Sequence, residues 1–243
     1  MKLISLNMEG INHLGTVTAF LQRENADILT LMEAPESLGE WLKTQGYTTS
    51  FAAMTIKSQH NTTFTEGLLL ATKLPHTASS HYYRGTQQTI QNFDRTQKVN
   101  TIAHAVLYGQ VGPYHIATTH FTWNPTGETA DTLQKKEMSL LLEITKKLPA
   151  HILCGDMNIP RGLNELYDIL CEHYSDNIPL RFASSLDRTL HRAGNNPQLT
   201  KLFDSFMVDY IFTQPPYTTK DVRLEFGISD HAAVIAIITQ AEW

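Results

Sequence analysis

The stretch HILCGDMNIP, His151–Pro160, decides the reading of this chain. A short apolar run closes on Gly155-Asp156-Met157-Asn158, and Ile159-Pro160 follows at once. Successive side chains of an extended chain point to opposite faces, so residues at i and i+2 share one. Asp156 and Asn158 are therefore expected to reach the same small object. The competing local reading is an Asx turn at Asp156 leading toward Pro160.

Polar residues stand in the same way at the ends of other apolar strands. Asn7 closes LISLN, Glu33 closes ILTLME and His120 closes HIATTH. Asp209 lies inside FMVDYIF, and Asp230-His231 open the last strand in GISDHAAV. A carboxylate in an apolar strand costs several kcal/mol unless it is paired, hydrogen-bonded or on a metal. Singly, each position has an ordinary role: a turn for Asn7, a solvated loop for Glu33, a structural histidine at His120, a cap for Asp230, an arginine partner for Asp209. Together, hard oxygen donors and imidazoles at strand ends point to one site.

The bulk properties fit one large α/β domain or two small ones, and without repeats, low-complexity tracts or a Pro-, Gly- and Ser-rich linker a single domain, residues 1–243, is expected. A chain of 243 residues buries roughly 70–75% of its unfolded surface without staples. A net charge of −5 argues against gripping long nucleic acid by charge alone, but a bound cation would supply positive charge locally. Two cysteines, Cys154 and Cys171, are too few for a disulfide framework and are expected as reduced, buried thiols. No apolar run approaches the ~20 residues of a membrane span, and MKLISLNMEG reads as a first strand rather than a signal peptide. A cytoplasmic monomer is the expectation.

Along the chain, strands are expected at KLISLN, DILTLME, Tyr47–Met54, Gly67–Ala71, Val99–Tyr108, Tyr114–His120, Ile152–Cys154, Phe206–Phe212, Asp221–Phe226 and Ala232–Ile238. Helices are expected at HLGTVTAFLQREN, SLGEWLKTQG, DTLQKKEMSLLLEITKKLP and Leu163–His173. The polar stretch from His76 to Lys98 reads as a long loop or hairpin. Strands adjacent in sequence, with few helices, imply two mixed β-sheets packed face to face with helices on the outside.

The ordered fragments LNMEG, LMEA, TTHFTWNP, GDMNIP, MVDYIF and GISDHA resemble the endonuclease/exonuclease/phosphatase superfamily, the deoxyribonuclease I-like fold. The resemblance runs from Asn7 to His231. It implies a four-layer α/β sandwich with a phosphoesterase site at one rim of the sheets. It also implies Mg²⁺, with Mn²⁺ able to substitute, held by Glu33 and completed or supported by Asn7 and Asp230. Asp156 would activate the attacking water, Asn158 would orient it or donate to the phosphate through its amide, and His231 would bind or protonate a phosphate oxygen with its ring fixed by Asp209. His120 would donate to the phosphate or help the leaving group. Zinc is disfavoured, because no cysteine accompanies these residues.

The substrate expected is nucleic acid or a nucleotide-like phosphate ester. LNMEG and THFTW look like the tyrosyl-DNA phosphodiesterase 2 branch, which usually carries a tryptophan where this chain has Ala232. Trp123 is a candidate stacking platform, with packing against its own loop as the alternative. Arg95, Lys98 and Arg161, and Arg188 in SSLDRTLHRAG, are candidate phosphate contacts or plain surface. The other enzymatic readings are a sphingomyelinase-like or inositol-phosphate esterase. A non-catalytic phosphate-binding module would have lost some of the polar residues that are all present here.

Overall fold

In the computed structural model, which describes residues 1–241, the strand elements begin with β1 (Lys2–Asn7), β2 (Ile28–Pro35), β3 (Thr48–Gln59) and β4 (Thr62–Thr72). Then come β5 (His76–Arg84), β6 (His104–Val111), β7 (Tyr114–Thr119) and β8 (Ile152–Asp156). Last are β9 (Ser175–Asp176), β10 (Asp209–Thr213), β11 (Tyr217–Glu225) and β12 (Ala233–Gln240). The helices are α1 (Leu14–Glu24), α2 (Glu36–Thr44), α3 (Lys98–Thr101), α4 (Thr132–Thr145), α5 (Leu166–Cys171) and α6 (Lys201–Ser205).

Two mixed six-stranded sheets result, ordered β11-β12-β1-β2-β4-β3 and β5-β6-β7-β8-β10-β9. The four-layer sandwich expected from the sequence is the fold observed. Side-chain alternation in β1 explains how the layers form. Leu3 joins the core between the sheets, whereas Ile4 and Leu6 pack with Val17, Phe20, Leu38 and Leu42 of α1 and α2 on the outer face. By the same alternation Asn7 falls on the inner face with Leu3, at the end of the strand.

Strand direction gathers the polar ends. β1 runs parallel to β2, and β7 parallel to β8, so Asn7, Glu33, His120 and Asp156 end at one rim. β10 and β12 run antiparallel to β8 and β1, so the start of β10 (Asp209) and the residues before β12 (Asp230, His231) come to that same rim. Among the described residues, no helix is long and apolar enough to cross a membrane.

Some local expectations are corrected. The polar stretch after His76 is in part a strand: β5 pairs along β6 at the sheet's edge, where its exposed residues need no apolar alternation. Val99 belongs to α3, and the strand expected from it starts only at His104. Cys154 is buried as expected, but Cys171 at the end of α5 is exposed.

Candidate active site

Asp156 stands directly opposite Asp209 on the paired strands β8 and β10. Both carboxylates are buried. Asp209 Oδ2 lies 2.7 Å from His231 Nδ1 and accepts from Ser185 Oγ at 2.6 Å. This fixes the ring of His231 and aims Nε2 at Asp156 Oδ2, 3.8 Å away. The other oxygen, Asp209 Oδ1, is buried without a hydrogen-bond partner among the described residues.

Gly155 makes the close approach possible. A Cβ there would lie 1.9 Å from the carbonyl oxygen of Thr119, so only glycine lets β8 run against β7 just before His120 and Asp156. His120 Nε2 is then 3.5 Å from Asp156 Oδ2 and 3.9 Å from Glu33 Oε1. Its carbonyl is held by His104 Nδ1 at 2.6 Å and by the Tyr83 hydroxyl at 3.3 Å.

Glu33 reaches the site by a departure from regular strand. Alternation from Leu29 and Leu31, which face the helices, would turn Glu33 outward too. Instead its φ is +49°, and the β2–β4 register shifts between Leu31 and Ala34. Such an irregularity re-aims a side chain. Glu33 Oε1 now faces Asn7 Nδ2 at 3.5 Å, and Oε2 takes Lys57 Nζ at 2.6 Å. Lys57 also lies 2.8 Å from Glu66 Oε2.

Asn158 arrives differently from expectation. Its φ is +50°, and its backbone N–H donates to Asp156 Oδ1 at 2.8 Å, which is the Asx-turn reading. Its amide Nδ2 donates to the carbonyl of Phe121 at 2.9 Å. The turn, rather than a shared strand face, brings the pair together.

The electrostatics follow from burial and neighbours. Burial, then Asp209, pushes the Asp156 carboxyl above its ordinary range against the pull of His231 and His120. Burial opposes charge on His231, but Asp209, Asp156 and Asp230 outweigh it and raise the imidazole well above its usual value. Burial likewise opposes Glu33, yet Lys57 and then His120 hold its carboxyl far below the usual range. Burial and Glu33 push Glu66 up to about 8. Asp230 is raised to about 6 by burial, with Glu9 and Glu33 adding to it.

The donor set fits a hard divalent cation. Glu33 Oε1 has, among the described residues, only the 3.5 Å contact from Asn7 as a hydrogen bond. Asn7 Nδ2 and His120 Nε2 face it, and the carboxylates of this rim are the hard oxygen donors that Mg²⁺ prefers. Ligand atoms of Glu9, His13 and Asp230 also lie within 4.8 Å of one another, as do those of Asp156, Asp209 and His231. Neither group includes a cysteine. Asp230 thus stands with Glu9 and His13, two residues that sequence reasoning had not singled out.

The candidate substrate contacts divide. Lys98 Nζ sits 3.9 Å over the ring of Trp123, which is 46% exposed. Arg192 and Arg95 are close enough to push the Lys98 ammonium down, after burial. Arg188 instead pairs with Asp204 at 3.1 Å and stacks over Phe203. Arg161 is corrected: its guanidinium bonds Asp176 and the carbonyls of Ile178 and Phe182, so it braces the β9 region.

The model of the Endonuclease/Exonuclease/phosphatase family matches residues 4–231. No curated protein matches the chain in sequence. Among solved structures, the human Nocturnin catalytic domain is 16% identical, with a TM-score of 0.68 over 99% of this chain and 93% of that one. A humanised D. rerio TDP2 is 15% identical, with a TM-score of 0.61 over 99% of both chains. A mannosyl-6-phosphatase of Bacteroides thetaiotaomicron is 13% identical, with a TM-score of 0.65 over 98% of this chain and 99% of that one. At these identities the likeness is one of fold.

Proposed function

The chain belongs to the endonuclease/exonuclease/phosphatase family, whose members hydrolyse phosphate esters and generally depend on a divalent metal ion, and on that premise we propose that it is a Mg²⁺-dependent phosphodiesterase of nucleic acid. The observation that carries the reading is the convergence of Asp156, His231, His120 and Glu33 at one rim, with Asp209 behind His231.

Glu33 would hold the ion, with Asn7 and Asp230 in support, and the bound ion would polarise a nonbridging phosphate oxygen and offset charge on the leaving oxygen. Asp156 takes the proton of the attacking water. Asn158 holds Asp156 through its backbone N–H and orients the water. His231, kept charged by Asp209, donates to a phosphate oxygen. His120, 3.5 Å from Asp156, donates to the phosphate from the other side or protonates the leaving oxygen. A carboxylate behind a histidine sets its tautomer and orientation, which is the part assigned to Asp209.

Trp123 supports nucleic acid as the substrate. Its loop is pinned from beneath: Asn124 Nδ2 donates to Thr129 O at 2.7 Å and to Gln134 Oε1 at 2.9 Å, and Gln134 Nε2 donates to Thr122 O at 2.7 Å. A preset indole beneath Lys98, whose ammonium feels Arg192 and Arg95, suits a base and its phosphates. We read the protein as a cytoplasmic monomer.

The test is a Mg²⁺ panel of single- and double-stranded DNA, RNA, a 5′-phosphotyrosyl oligonucleotide, sphingomyelin, an inositol phosphate and a mannose phosphate. Product from at least one nucleic acid, abolished by EDTA and restored by Mg²⁺ or Mn²⁺, is expected. Turnover of only the lipid, inositol or sugar ester overturns the substrate assignment, and EDTA-resistant turnover overturns the metal.

A further inference from the structure

Lys57 was not among the residues that the sequence singled out, yet it lies at the heart of the site. It projects from β3, with Nζ 2.6 Å from Glu33 Oε2 and 2.8 Å from Glu66 Oε2. Both partners are largely shielded, with side-chain exposures of 21% and 6%, and that of Lys57 is 15%. The Phe93 ring, 5.7 Å from Nζ, covers it on another side. An ammonium this enclosed is retained only where carboxylates meet it directly.

The two ends of Glu33 therefore differ. Oε1 faces Asn7 and His120, where the catalytic ion is assigned. Oε2 is committed to an ammonium that a second carboxylate also contacts. In two-metal phosphoesterases the ions stand about 3.5–4 Å apart and clamp the reacting phosphate between them. Here a cation of the chain itself occupies the position beside the metal-binding carboxylate.

We propose that the Lys57 ammonium is a resident cation bridging Glu33 and Glu66, which fills the place of a second divalent ion and limits the Glu33 centre to one metal. Lys57 is thus a positioning residue. It fixes the Glu33 carboxylate with Oε1 turned to the ion and bars a bridging mode. The inference rests on Glu33 being a metal ligand.

The experiment counts Mn²⁺ bound per chain, by electron paramagnetic resonance of the free ion, in the full-length protein. Glu33→Gln is expected to bind one ion fewer than the natural protein. If it binds as many, the assignment of the metal to Glu33 fails, and this inference with it. Lys57→Met is expected to bind one ion more, because Glu33 and Glu66 then face each other unpaired. Adding Glu66→Gln to it should remove that extra ion. Lys57→Arg should bind the natural number. A folded Lys57→Met protein, checked by circular dichroism, with an unchanged ion count overturns the inference while leaving the Glu33 assignment standing.

Lys57→Gln covers the case in which Lys57→Met does not fold. It too removes the cation and should bind one ion more than the natural protein; an unchanged ion count overturns the inference.

Discussion

Asn7 Nδ2 donates to Asp156 Oδ2 at 3.0 Å, joining the ends of β1 and β8 across two sheets and 149 residues of chain. The bond ties the inner face of one sheet to the carboxylate on which the other sheet's chemistry depends. Replacing Asn7 by alanine removes the donor from a buried acceptor, a loss typically worth about 1–3 kcal/mol. Denaturant unfolding should show a destabilisation of that order. A midpoint within error of the natural protein's would mean that the contact contributes nothing.

Asp156→Asn and His231→Ala each remove a positioned proton-transfer group, which typically lowers turnover about 10²–10⁴-fold. Both variants should fold and lose at least a hundredfold in kcat on the substrate that the panel identifies. Asp209→Asn should also lower kcat, since it disturbs the tautomer and charge of His231 without removing the ring. Natural turnover in either Asp156→Asn or His231→Ala would refute the roles given to them.

Trp123→Ala tests the stacking platform separately from the chemistry. Base–aromatic stacking is worth about 1–3 kcal/mol, so KM for an oligonucleotide should rise roughly five- to 150-fold. Hydrolysis of bis(p-nitrophenyl) phosphate, which has no nucleobase, should change little. An equal loss on both substrates would make Trp123 a support for its own loop.

Acid should destabilise the fold through two enclosed histidines. Burial, then Arg84 and His120, pushes His104 well below its usual value. His151 is lowered by burial, with its Nδ1 against the Pro149 carbonyl and its Nε2 against the Tyr174 hydroxyl. Each is neutral when folded, whereas the unfolded chain takes up a proton near the ordinary value of about 6.5. Their contribution is thus complete above about pH 6.5 and is lost as pH falls below it, by up to about 1.4 kcal/mol per unit for each group. The raised carboxyls of Glu66 and Asp230 act in the opposite sense, so the histidine contribution is read as a difference. His104→Asn, which keeps a donor for His120 but does not titrate, should gain in Tm relative to the natural protein between pH 7.5 and 5.5; an unchanged difference would remove His104 from the account.

The sequence revealed the rim but not all of its fittings. Asn7, His120, Asp156, Asp209 and His231 were legible because each stands at the border of an apolar strand, where an unexplained polar group is conspicuous. Glu33 was found in the same way, but the left-handed backbone that turns it inward leaves no mark in the sequence. Lys57 and Glu66 lie on a mostly polar hairpin, TIKSQHNTTFTEG, where nothing in the pattern sets them apart. Only the register that sets Thr55 opposite Glu66, and the shift beside it, reveals that they meet. β5 escaped for the opposite reason to β8: an edge strand with exposed faces carries no hydrophobic pattern.

The pairing of β1 with β12 places Lys2 beside Ile237. Closing so long a loop carries an entropic cost that local contacts cannot offset early, so this topology folds slowly for its size. Until the last strand arrives, the first presents an open edge in the middle of its sheet, where a strand of another molecule can add instead. Refolding yield is accordingly expected to fall with protein concentration, and the aggregates to form through that vacant lane.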